Sequence, residues 1–364
     1  MSAVDAVVIG GGIAGVSVAY ELAAHGSVAL VEAEHTLALH TTGRSAAIYA
    51  PSYGAPVIRA LTVASFDRFT RLAAELDTPP ILTPHAGLWL AYDDAGTTKL
   101  AEMLRTGALR ELTVGEAIAE CAVLDHPSLR AAAIDDNAMD IDVMALHQGF
   151  VRGIKARGGQ LHAGEPATAI RRDGPQWTVD TRSHTFATPL VVDAAGAWVD
   201  RIAEEAGVPP IGIRPLRRTV ALASGAVPPD PAWPLAIDAK ETFYFRTEGT
   251  RILISPADET PSEPADAKPD ELDIALAIER INAVTTLGLR TVHTSWAGLR
   301  SFTPDRLPAV GAWPDHPGFA FFAGQGGYGI QMAPALAAAG AAIMLGLPVP
   351  ADIDVRAEDL APRA

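Results

Sequence analysis

The chain has 364 residues, 49% hydrophobic and 20% charged, which excludes a disordered or fibrous protein and leaves room for one large domain or two interleaved ones. Acidic residues outnumber basic ones 43 to 28, a net charge of −15 that disfavours a nucleic-acid polyanion or an anionic membrane surface as the main partner. A single cysteine, Cys121, excludes intramolecular disulfides, zinc ribbons and thiol-relay redox chemistry.

Met1–Asp5 has no basic segment, and the apolar run Ala6–Ile9 is too short for a signal peptide. Ala6-Val7-Val8-Ile9 reads as a strand buried on both faces of a parallel sheet. Gly10-Gly11-Gly12-Ile13-Ala14-Gly15 follows, then helical spacing at Val16, Ala19, Tyr20, Leu22 and Ala23 up to Gly26, then a second buried strand, Val28–Val31, ending in Glu32. Pro56–Leu76 predicts an amphipathic helix with Ile58, Leu61, Phe66, Phe69 and Leu72 towards the core. Ile81–Tyr92 reads as a strand pair, Leu100–Ala122 as helix in two pieces, and Val143–Ala156 as a helix introduced by Asp140-Ile141-Asp142. Short strands are expected at 160–162, 167–171, 177–180 and 190–193, and a β-rich stretch from Arg218 to Ser255. Asp258–Asp270, acidic and proline-bearing, reads as a solvated loop or a lid. A helix from Glu271 to about Ala283, more strands and a closing helix from about Gly329 to Leu345 complete the chain. The longest apolar stretch, Ala333–Leu347, falls short of a membrane span, so a cytoplasmic protein without membrane association is expected.

Gly10-x-Gly12-x-x-Gly15 gains weight from its context: strand before, helix after, and Glu32 closing the next strand about twenty residues on. Gly10 permits the tight turn, Gly12 lets backbone amides approach a pyrophosphate, and Gly15 lets helix and strand pack closely. The helix N-terminus then faces the phosphates. Glu32 can accept from both ribose hydroxyls and would repel a 2′-phosphate, which disfavours NADP. The small-residue loop His40–Ala47, with its one arginine, favours a flavin dinucleotide over NAD.

The motifs Val8–Gly15, Thr42-Gly43-Arg44-Ser45-Ala46-Ala47, Ala145–Gly149, Ala194-Ala195-Gly196-Ala197-Trp198, Phe243-Tyr244, Trp296–Phe302 and Gln325–Gln331 together resemble the D-amino acid oxidase superfamily of FAD-dependent amine oxidoreductases. Within it the chain is most similar to the bacterial D-arginine dehydrogenase branch. The resemblance implies an α/β (α+β), glycine oxidase-like fold. A discontinuous Rossmann-like FAD domain (residues 1–80, 140–215 and 298–364) would carry a β-sheet substrate domain (81–139 and 216–297). It implies oxidation of a D-amino acid to an imine by hydride transfer from Cα to flavin N5, followed by hydrolysis to a 2-oxo acid and ammonia. The protein then positions substrate and tunes charge while the cofactor does the chemistry.

Non-covalent FAD would contact Gly10, Gly12, Ile13, Ala14, Gly15, Glu32, Thr42, Gly43, Arg44, Ser45, Ala46, Ala195, Gly196, Trp198, Arg300, Gly326, Gly327, Tyr328, Gly329 and Ile330. Arg217 and Arg300 match the positions that grip the substrate carboxylate, a task suited to planar guanidinium groups. Tyr53 and Tyr244 match two substrate-facing tyrosines, and the backbone carbonyl of Gly327 would face the amine. The amides of Gly324–Gly329, read as opening the last helix, would stabilise charge on the reduced ring.

Two positions depart from the D-arginine pattern: Gly87 stands where an acid would hold the guanidinium, and Ile48 replaces a histidine. An unpaired buried cation costs several kcal/mol, so neutral or hydrophobic D-amino acids are expected. Glycine, sarcosine or a 2-hydroxy acid as substrate remain alternatives, as does a flavin subunit of a heteromeric dehydrogenase. No metal and no nucleic acid are expected. The resemblance favours an electron acceptor other than oxygen.

Overall fold

The computed structural model describes residues 1–363 as a mixed α/β protein. Five strands, Gln160–Ala163, Val28–Glu32, Ala6–Ile9, Val191–Asp193 and Phe319–Ala323, lie side by side in that order, all parallel, with Ala309–Ala312 antiparallel at one edge. The inner four are short, mostly apolar and buried on both faces, whereas Gln160–Ala163 is a partly exposed edge strand. Val8, Leu30, Val192 and Phe322 pack against the helices Ile13–Leu22, Pro56–Glu75, Val143–Ala156 and Ala333–Met344. Val7, Ala29, Val191 and Phe321 face the other way, onto Ile170, Trp177, Val179 and Phe186 of a four-stranded sheet.

The second large sheet has the order Gln325–Gly326, Thr291–Phe302, Arg214–Ser224, Arg251–Ser255, Tyr244–Glu248, Leu235–Asp238, Gly87–Ala91, Ala131–Asp135, Arg110–Leu112, with Thr260–Pro261 beside Arg214–Ser224. Its underside carries Leu88, Leu90, Ala221, Phe245, Ile252 and Ile254, covered by Ile274, Ala277 and Ile281 of the helix Glu271–Asn282. Cys121 is buried in that layer, where burial pushes its thiol up to about 12. The strands Arg214–Ser224 and Thr291–Phe302 belong to this sheet over their full lengths, so divisions at 215/216 and 297/298 cut through them.

Several local expectations shift. Val143–Ala156 is helical as read, because Asp142 caps it by accepting from the Ala145 amide at 2.8 Å. Phe66 is 38% exposed rather than in the core, while Ile58, Leu61, Phe69 and Leu72 on the same helix are buried. Leu82–Pro84 and Gly87–Ala91 do not pair with each other; the former joins Met139–Ile141 and the latter Ala131–Asp135 and Leu235–Asp238. The helix expected from about Gly329 starts at Ala333, with Pro334 in its first turn, and a short helix, Ala357–Leu360, follows it; Gly324–Gly329 is therefore a turn several residues ahead and the helix N-terminus lies elsewhere.

Asp193, ending the central strand, is fully buried: Oδ1 accepts from the Ala195 amide at 3.1 Å and Oδ2 has no partner among the described residues. Burial raises its pKa well above the ordinary carboxyl value. Because the folded value exceeds the unfolded one, the stability this group contributes is intact below the unfolded pKa and is lost as pH rises through the folded one. Asp193→Asn, which removes the ionisable group and keeps the shape, is expected to stabilise the protein at pH 8 by about 1–3 kcal/mol and to change little at pH 4. Thermal melts at the two pH values check this.

Candidate active site

A cavity of about 490 Å³ joins the C-terminal ends of the parallel strands to one face of the large sheet. At the first, Ile9–Ala14 and Val31–Glu34 form the wall. Gly15 does not border the cavity; it sets the approach of helix to strand, since a Cβ there would lie 1.8 Å from the Gly10 carbonyl oxygen. Glu32 is held by two amides, with Oε2 accepting from Gly11 at 2.5 Å and Oε1 from Glu34 at 2.8 Å. His147, which burial keeps below its ordinary pKa, donates from Nε2 to the Gly11 carbonyl at 2.9 Å and ties the turn to the neighbouring helix.

Thr42 accepts from the Ile13 amide at 3.0 Å. Arg44 borders the cavity, but its guanidinium is committed to Asp266 and to the carbonyls of Ala267 and Ala297. The acidic segment 258–270 is therefore tied down through Arg44 rather than simply solvated. Ser45, Ala46, Ala195, Gly196, Trp198, Gly326, Gly329 and Ile330 line the cavity, whereas Gly43 and Tyr328 lie outside its wall.

Strand parity decides the arginines. Arg218 lies opposite Gly298 and Leu216 opposite Arg300. Directly opposed residues share a face, as do residues two apart, so Arg218 and Arg300 point the same way and Arg217 points the other. Arg218 and Arg300 line the cavity. Arg217, expected there, instead pairs with Asp273 at 2.7 Å, Asp270 at 3.3 Å and Asp258 at 3.7 Å. By the same parity Val220, Leu253, Tyr244, Arg246, Leu235, Ile237 and Trp89 complete the cavity face. Ile48 lines it too, but Gly87 does not, so its missing side chain adds nothing to the cavity.

Arg300 is 8% exposed. Burial opposes its charge, yet the Tyr53 and Tyr328 hydroxyls and Glu259 outweigh it and hold its pKa above the ordinary value. Gly327 makes room for it: a Cβ at Gly327 would lie 1.7 Å from Arg300 Nη2. Tyr53 donates to Glu241 Oε2 at 2.7 Å and packs, ring tilted, against Trp89 and Tyr328. No hydrogen bond is made by the Tyr244 hydroxyl among the described residues. Arg246 is balanced by Asp140, which also binds His85 Nδ1 at 2.8 Å. Arg218, Arg246, Glu241 and Gln331 were not singled out from the sequence; alternation along the strands is the signal that finds the first two.

The cavity suits a dinucleotide carrying a polar ring. Gln331 Nε2, Gln325 Nε2 and His40 Nδ1 are buried, unpartnered among the described residues, and belong to side chains of the cavity wall. A Cβ at Gly12 would meet only Thr42 Oγ1, at 3.2 Å, leaving an open cradle beside the first-turn amides of the helix Ile13–Leu22. Among the described residues no group of three or more side chains could hold a metal ion, and no helix is long and apolar enough to cross a membrane.

Fold and cavity together define a protein built around a bound dinucleotide. The sequence matches the FAD dependent oxidoreductase (DAO) family over residues 5–343, and the chain belongs to that family, with FAD as its cofactor. It is 27% identical to FAD-dependent oxidoreductase domain-containing protein 1 of Bos taurus over 94% of this chain and 81% of that one. Identity to the glycine oxidase of Geobacillus kaustophilus (strain HTA426) is 24%, over 91% and 90% of the two chains. The crystal structure of L-proline dehydrogenase from P. horikoshii superposes with a TM-score of 0.84 at 22% identity, covering 96% of each chain. That of glycine oxidase from Geobacillus kaustophilus gives 0.84 at 20% identity, covering 100% and 99%.

Proposed function

We propose that this protein oxidises the Cα–N bond of small amino acids, with neutral D-amino acids as the preferred class. The observation that carries the reading is the buried Arg300 at the cavity wall, beside Arg218 and between two tyrosines. A planar guanidinium held in place recognises a carboxylate in two-point fashion. Tyr244 has its hydroxyl proton to offer the same carboxylate. Tyr53 donates its hydroxyl hydrogen bond to Glu241, so its oxygen presents a lone pair suited to the substrate ammonium. The Gly327 carbonyl supplies a second acceptor for the amine. Trp89, Ile48, Leu235, Ile237 and Phe243 give the rest of this end an apolar wall, which favours an uncharged side chain. FAD, bound along the Gly10–Gly15 turn, Glu32, Thr42 and the Gly324–Ile330 turn, supplies the hydride acceptor.

A panel of D- and L-amino acids, glycine, sarcosine and 2-hydroxy acids, assayed once with oxygen and once with a dye acceptor, tests this. Neutral D-amino acids are expected to give the highest kcat/KM and to bleach the flavin anaerobically. Dominance of D-Arg, of L-isomers or of hydroxy acids would overturn the reading. The likeness to glycine oxidases favours a second reading, glycine or another small amine, which the same panel separates.

A further inference from the structure

After the strand Arg251–Ser255 the chain turns back beneath the cavity arginines. Ala257 makes the turn with φ of 53°, a left-handed conformation that strains an alanine. It delivers Asp258 and Glu259. Asp258 is used by the strand: its carboxylate accepts from the Thr219 amide at 2.7 Å and hydroxyl at 3.1 Å, and its carbonyl takes Arg218 Nε at 2.8 Å. Glu259 has only arginines as partners among the described residues. Its Oε1 takes Arg306 Nη2 at 2.7 Å and Arg300 Nη1 at 3.1 Å, and lies 3.7 Å from Arg218 Nη2. Burial alone would raise the Glu259 pKa, but the three guanidiniums overcome it and hold it below the ordinary value. Arg300 and Arg218 border the cavity; Glu259 and Arg306 do not.

We propose that Glu259 is a specificity-determining residue that sets the charge of the carboxylate-binding end through Arg300 and Arg218. One carboxylate behind two cavity-facing guanidiniums cancels half of their charge, so the site holds a single substrate carboxylate and gains little from a second. Substrates with one carboxylate are therefore selected over dicarboxylates. Arg306 sets the strength of this effect from outside: by sharing Oε1 it draws Glu259 away from Arg300. This inference rests on the carboxylate-binding reading given above.

The test uses FAD-loaded protein and two four-carbon probes, butyrate with one carboxylate and succinate with two, titrated against the visible flavin spectrum. Glu259→Gln keeps an oxygen acceptor for Arg300 and removes the charge. It is expected to lower the dissociation constant of butyrate about threefold and of succinate about tenfold, as expected for charges a few ångströms apart at a protein surface. Arg306→Gln returns Glu259 wholly to Arg300 and is expected to raise both constants about two- to threefold. A merely structural clamp on Arg300 would instead loosen both probes in both variants. Shifts in the same direction in both variants, or no shift with Glu259→Gln, overturn the proposal. If Glu259→Gln fails to retain flavin, Arg306→Gln decides through the ratio of the two probes: a larger loss for succinate than for butyrate supports the proposal, and an equal loss or none overturns it. A wild-type protein that binds neither probe overturns the carboxylate-binding reading, and this inference with it.

Discussion

Arg300→Ala is expected to lower kcat/KM for the best substrate by two to three and a half orders of magnitude. The side chain is 8% exposed, braced by Glu259 and flanked by the rings of Phe302 and Tyr328 at 5.3 and 5.8 Å. Removing one partner of a buried charge pair costs about 3–5 kcal/mol, and each 1.4 kcal/mol is a factor of ten. The variant also leaves Glu259 facing the cavity end with its negative charge less balanced, which repels the substrate carboxylate further. Arg300→Lys keeps the charge but loses the planar fork, so an intermediate loss is expected. Arg217→Ala is the control: its guanidinium lies on the opposite face of the strand among three aspartates, and its loss should leave KM nearly unchanged. Steady-state kinetics on the three variants check this, and a large KM effect at Arg217 would contradict the strand parity.

Gly15→Ala should give a protein that purifies without yellow colour. The added Cβ would lie 1.8 Å from the Gly10 carbonyl oxygen, which belongs to backbone and has nowhere to go. Helix and strand must separate, and the amides of Ile13 and Ala14 leave the cavity wall with them. The ratio of flavin to protein absorbance measures the loss, and the melting temperature should fall as well. Gly115→Ala in the helix Val114–Glu120 provides the contrast, because a Cβ there meets nothing within 4 Å. That variant should keep its flavin and gain up to about 1 kcal/mol from the better helix propensity of alanine.

What the sequence discloses well is local. Strand, glycine turn, helix and acidic strand end occupy the first thirty-two residues, and each part signals through its own composition. The helix Val143–Ala156 is legible because Asp142 marks its start. What it conceals depends on partners far away. Arg217 and Arg218 are alike in type, and only the register against Thr291–Phe302 turns one into the cavity and the other out. The run Ile81–Tyr92 resembles a hairpin because both halves are apolar, yet each half pairs with a strand some fifty or more residues distant. The acids of 258–270 look like a solvated surface until their arginine partners at 44, 217, 218 and 300 are in place. Fold class and cofactor are thus readable from short motifs, whereas the charge balance at the substrate end is a property of the assembled sheet.

The order of strands in the parallel sheet also constrains how the protein is made. Val191–Asp193 is flanked by Ala6–Ile9 on one side and Phe319–Ala323 on the other. A nascent chain therefore carries a half-paired, largely apolar sheet until the ribosome has passed residue 323, about nine-tenths of the way along. Contacts that span the chain this way close slowly and leave strand edges open to wrong partners meanwhile. The early segments cannot mature on their own: the flavin site, begun in the first turn of the chain, is finished by nearly the last strand synthesised.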